Sequence, residues 1–130
     1  MVNLSREYKM TNMTLMQAVG LGDNEALRIL LLQGIDITAQ DYLALTYAGQ
    51  CNQETAVRLL LIAGSDPNSG CGSPLVSAAD SGNVRIAELL WRAGVDIHNM
   101  DDLALKRATM AGKTEFIEWF NSKSIKTLSM

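Results

Sequence analysis

Ser73-Pro74-Leu75-Val76-Ser77-Ala78-Ala79, then Gly82-Asn83, Glu88-Leu89-Leu90 and Gly94-Val95-Asp96-Ile97, decide how this chain folds. Leu75 and Ala78 stand three apart and put one large and one small apolar residue on a single helical face. Gly82 follows at a position that suits left-handed backbone, where a helix ends. Leu89-Leu90 belong to a second apolar stripe, and Gly94 fits the place just past its end. The stretch reads as two short helices joined by a turn. Neither can bury its stripe within so small a unit, so the unit needs neighbours of the same kind.

The neighbours are in the sequence. Shifted by 30, it aligns with itself: leucine falls at Leu15, Leu45, Leu75 and Leu105, and alanine at Ala18, Ala48, Ala78 and Ala108. A turn residue comes next, as Gly22, Asn52, Gly82 and Gly112. The second apolar block gives Leu30, Leu60, Leu90 and Phe120. Gly34, Gly64 and Gly94 close three units, with Ser124 in the fourth, and Asp36, Asp66 and Asp96 lie two residues beyond each glycine. The first helices are expected to run from near Leu15, Ala44, Pro74 and Ala104 for about two turns, with the small alanine admitting a close neighbour. The second helices carry Ala26, Leu27, Ile29 and Leu30, then Ala56, Val57, Leu59 and Leu60. Arg28, Arg58, Glu88 and Glu118 fall off that stripe and are expected in solvent.

Working outward, 130 residues suit about one domain. Apolar residues are 48% and charged residues 19%, enough to bury a core and not the composition of a disordered chain. Aromatics at 5% suit packed helices better than a β-sandwich. Apolar runs such as Leu59-Leu60-Leu61-Ile62-Ala63 fall far short of the ~20 residues that span a bilayer, and no basic-then-apolar leader opens the chain. A soluble protein is therefore expected. A net charge of -3 disfavours nucleic acid as a partner. Residues 14–69 hold six acids and two bases, whereas residues 101–130 hold four acids and five bases. That imbalance favours a partner with a basic patch.

These residues resemble the ankyrin repeat family. Ser73-Pro74-Leu75-Val76-Ser77-Ala78 keeps the family's T-P-L-H-x-A pattern with Ser for Thr and Val for His, and the resemblance covers about residues 13–123. The other units keep the leucine, alanine and glycine columns without the proline. The resemblance implies an all-α solenoid of four helix-turn-helix units in one domain over residues 1–130. Its lead-in is 1–12 and its repeats are about 13–39, 40–69, 70–99 and 100–130. The family period is ~33 residues, so three residues are missing here, and a turn tighter than the family's β-hairpin is expected between units. Such short units are similar to those of ankyrin proteins from large DNA viruses and some bacteria.

Groups with reactive side chains are few. Asp101-Asp102, the adjacent acid pair, is expected to cap the helix of the fourth unit, as Asp41 would in the second. His98 stands in a column with Thr38 and Asn68, where the family places a polar residue that ties down the turn. Cys51 and Cys71 sit in different columns, too far apart for a disulfide, and free thiols fit a reducing compartment. Gly70-Cys71-Gly72-Ser73 lacks the trailing Gly-Lys-Ser/Thr of a phosphate loop and reads as a tight turn before Pro74. No metal or cofactor and no catalysis are expected. Met10, Met13 and Met16 are read as a terminal plug, and Trp91 and Trp119 as packing residues.

What remains is a surface. In the family, the first helices and the turns before them line a concave groove that binds protein partners. Carried onto this chain, the helix positions are Gln17, Gly20 and Leu21, then Tyr47, Gln50 and Cys51. They continue as Ser77, Asp80 and Ser81, and end as Arg107, Met110 and Ala111. The turns add Asp41, Tyr42, Ser69, Cys71, Met100 and Asp101. Tyrosine offers area and a polar tip at interfaces, so Tyr42 and Tyr47 stand out, with packing inside the turn the other reading of Tyr42. Leu21 and Met110 would be apolar anchors. The expected function is non-catalytic binding of one protein partner by a cytoplasmic chain that is monomeric alone, acting as an inhibitor, immunity or host-manipulation factor, in the host cytosol if delivered there. The alternative is a self-associating or scaffold module. Neither nucleic acid nor membrane is expected as a partner.

Overall fold

The computed structural model describes residues 15–34 and 41–129, except the side chains of Asp41, Tyr42, Cys71 and residues 126–129. Expectations placed on Asp36, Thr38, Met10 and Met13 lie outside the described residues. Eight helices are described in four pairs: α1 (Leu15–Leu21) with α2 (Asn24–Leu32), and α3 (Asp41–Gln50) with α4 (Glu54–Ile62). The others are α5 (Ser69–Ser81) with α6 (Val84–Arg92), and α7 (Asn99–Ala111) with α8 (Thr114–Ser129). The described residues contain no strand. Where the 33-residue family builds a hairpin, the described connections, after Gly64 and after Gly94, have only a turn.

One device ends each first helix and starts the second. Gly22, Asn52, Gly82 and Gly112 take φ of 68°, 56°, 72° and 69°, the left-handed conformation that closes a helix. The next residue donates its N–H back to the alanine column: Asp23 to Ala18 O at 3.0 Å, and Gln53, Asn83 and Lys113 to Ala48, Ala78 and Ala108 O, each at 2.9 Å. In two units the same residue then caps the following helix. Asp23 Oδ1 accepts from Ala26 N, and Asn83 Oδ1 from Ile86 N, both at 3.0 Å.

The helices form two layers. The odd-numbered helices pack on one another in one row, the even-numbered ones in a second, and each pair bridges the rows. Between them lies one continuous core. Leu15, Leu45 and Leu75 are buried in it, as are all four alanines of the next column, and Leu30, Leu60, Leu90 and Phe120 line its second-helix side. Gly49 and the alanines bring the first helices close; a Cβ on Gly49 would stand 3.2 Å from Ser77 Cβ. The first-helix row is the more closely packed of the two. The solvent side of the first helices is the face on which the family resemblance places partner binding.

Two expectations need correction. Asp101 and Asp102 do not cap α7. Met100, Asp101 and Asp102 take φ of 54°, 57° and 61°, a left-handed turn inside the Asn99–Ala111 span, and no side chain caps its start. The two carboxylates are held elsewhere: Lys106 Nζ donates to Asp101 Oδ2 at 3.2 Å, and His98 Nδ1–H to Asp102 Oδ1 at 2.6 Å. Nor is Glu88 simply solvated. Its carboxylate accepts from Lys123 Nζ at 2.9 Å and from Trp119 Nε1 at 3.4 Å. Trp119 is buried and Trp91 half-buried beneath Lys123, whose ammonium stands 5.6 Å from the Trp91 ring.

Candidate partner-binding surface

The solvent side of the first helices is built from a simple step. A residue in the Gln17 column of one unit reaches back 27 positions to the Gly20 column of the unit before. Arg107 does this from α7 to α5: Nε donates to Asp80 Oδ1 at 2.9 Å and Nη2 to Asp80 Oδ2 at 2.8 Å. Two parallel bonds from a planar guanidinium fix both side chains in orientation as well as distance. The two side chains remain 48% and 41% exposed, so a partner would meet them as a preformed, charge-neutral pair.

Tyr47 makes the same step from α3 to α1. Its hydroxyl lies 2.9 Å from where a Cβ on Gly20 would stand, so the ring lies over bare backbone and is half-buried. Part of the tyrosine's area is thus used within the solenoid. Ser77, third in that column, is buried and offers a partner almost nothing. Ser81 turns its hydroxyl inward, donating to Ser77 O at 3.1 Å, and Ser69 donates to Asp66 O at 2.7 Å.

The exposed members are fewer than the sequence proposes. Leu21 is 72% exposed and Met110 84%, one at each end of the first-helix row. Gln17 and Gln50 are exposed, and Cys51 is a half-buried free thiol. Met100 is exposed at the left-handed turn beside Asp101. The surface is therefore a polar strip with an apolar side chain at either end and a fixed ion pair near Met110.

The turns are joined by Asn68. It donates from Nδ2 to Gly94 O at 3.1 Å, and its Oδ1 accepts from Asp96 N at 2.7 Å and Asn99 Nδ2 at 3.1 Å. This is the tie expected of that column. His98 fills the same column in the next unit, and its ring meets the edge of Phe120 at 5.7 Å between centroids. Sequence reasoning missed the Arg107–Asp80 and Lys123–Glu88 pairs. The signal was present as opposite charges close to one repeat length apart, which only the packing of adjacent units makes meaningful. Among the described residues no group of three or more His, Cys, Asp or Glu side chains could hold a metal. No described helix is long and apolar enough to cross a membrane.

Helix pairs stacked at a 30-residue period, each closed by a left-handed turn residue, define a helical repeat solenoid. The family described as ankyrin repeats (3 copies) matches residues 45–128, and the chain belongs to it. The match begins at the second leucine of the register. No curated protein matches the chain. Ankyrin repeats generally mediate protein–protein interaction and are generally not catalytic.

Proposed function

We propose that this chain binds one protein partner through the concave face of its first helices and works by occluding that partner, as an inhibitor, immunity or host-manipulation factor in a cytosol. The observation that carries the reading is the pair of strongly exposed apolar side chains, Leu21 and Met110, bracketing a polar strip on the solvent side of the first helices. Buried anchors surrounded by polar residues are how protein interfaces concentrate their energy. A standard interface takes ~800 Å² from each side, which suits one partner better than a platform for several. The excess of acids over residues 14–69 favours a partner with a basic patch.

The experiment is affinity capture with purified chain, comparing wild type with a Leu21→Ala/Gln50→Ala/Met110→Ala variant. None of these side chains is buried, so the variant keeps its fold. One protein captured at one copy per chain, and lost with the variant, is the expected result. Two different proteins held at once by one chain would end the occlusion reading.

A further inference from the structure

The outer face carries a pattern that the concave face does not explain. On the second helices, one column reads Arg28, Arg58, Glu88 and Glu118: two positive units followed by two negative ones. Arg28, Arg58 and Glu118 are exposed and form no ion pair among the described residues. One helical turn further on, the column reads Leu32, Ile62, Arg92 and Ser122. Leu32 is 86% and Ile62 83% exposed, among the most exposed large apolar residues described. Between α2 and α4 these residues border an open groove of about 350 Å³, walled by Leu31, Leu59 and Ala63 and rimmed by Arg28. Within the Arg28 column, positive charge is thus confined to the first two units and negative charge to the last two, although Glu25 in the first unit and Arg85 and Arg92 in the third run the other way elsewhere on these helices.

We propose that two copies of this chain pair back to back through their second helices, antiparallel about a two-fold axis. The order of charges selects this arrangement. Laid side by side in the same direction, the columns would set Arg against Arg and Glu against Glu. Reversed, Arg28 of each copy faces Glu118 of the other, and Arg58 faces Glu88. A two-fold operator satisfies both halves at once, which makes the face self-complementary. Arg28 with Glu118 is the leading pair, because Glu88 already holds Lys123. The reversed copy also sets its third and fourth units, with Trp91 and the exposed Ile125, against the groove beside Leu32 and Ile62.

A stable dimer needs ~800 Å² from each copy, about a tenth of the 7539 Å² this chain exposes. The arrangement leaves both concave faces open, so it goes beyond the proposed function and replaces the monomer expected from the sequence with a particle bearing two grooves.

The test is the mass of the full chain by light scattering and sedimentation over a wide concentration range. Wild type is expected to pass from 14.2 kDa to twice that, with a midpoint that rises with salt because exposed charge pairs are screened. Arg28→Glu/Arg58→Glu should weaken pairing by about tenfold or more, since like charges then oppose each other. Arg28→Glu/Glu118→Arg in one chain should restore it, and Leu32→Lys/Ile62→Lys should abolish it. All these side chains are at the surface apart from half-buried Glu88, which is left intact, and helix content by circular dichroism checks the fold. The Leu21→Ala/Gln50→Ala/Met110→Ala variant should still pair, which separates this proposal from the concave-face reading. A chain that stays at 14.2 kDa, a dimer indifferent to charge reversal, or open-ended growth would each overturn it.

Discussion

Single residues carry backbone work here that side-chain chemistry does not advertise. In the third unit the opening of the α5 span places Gly70 and Gly72 at φ of 61° and 82°. The equivalent positions of the fourth unit are Met100 and Asp102, in the same left-handed region. An L-residue pays about 1–2 kcal/mol to stand there, and the fourth unit does it at three successive positions. The His98–Asp102 and Lys106–Asp101 bonds offset part of this. Met100 has no such bond and is exposed, so Met100→Gly should stabilise the protein. After the entropy glycine adds to the unfolded chain, the net gain is expected near 0.5–1 kcal/mol in urea unfolding. A loss of stability would mean the turn is not held left-handed in solution.

At the scale of elements, α8 closes the stack, and its attachment is a mixed polar and aromatic clasp. Phe116, Trp119 and Phe120 fill the end of the core, while Lys123, only 14% exposed, lies over Trp91 and bonds Glu88 on α6. The Lys123 ammonium is the first cause holding the Glu88 carboxyl below the usual glutamate range, against the opposing pull of burial. A carboxyl whose folded value is lowered adds stability that is present above its unfolded value of about 4.3 and is lost as pH falls through the lowered one. Thermal unfolding followed by tryptophan fluorescence should therefore show α8 loosening as pH drops below about 4. In Glu88→Gln that loss should shrink, from a lower starting stability at neutral pH. An unchanged acid profile in the variant would show that the clasp does not couple to Glu88 ionisation.

For the whole molecule, what the sequence disclosed follows from its strict period. Leucine, alanine and turn columns repeat without insertion, so core and turn positions could be assigned before any coordinates, and the buried Leu60 and the left-handed Asn52 stand where the register puts them. Side chains that bridge units were not legible. Arg107 and Asp80, 27 apart, meet only because α7 packs against α5, a contact that no single unit encodes. The Asp101–Asp102 expectation failed for a related reason: acidic residues before a helix usually cap it, but here the backbone reverses hand first. Tyr47 shows the limit on the partner surface, since its column faces solvent at Gln17 in the first unit but covers a bare glycine of the preceding unit at Tyr47.

The neighbour-only packing has a mechanical side. Among the described residues, side-chain bonds run within a unit or to the adjacent one, the longest joining residues 35 apart, and none ties the first unit to the last. Drawn out by its two termini, such a chain should yield in instalments, each release freeing a unit that extends to roughly 100 Å. A force trace from a single tethered molecule should thus be a staircase, and one abrupt rupture would reveal a linkage between distant units.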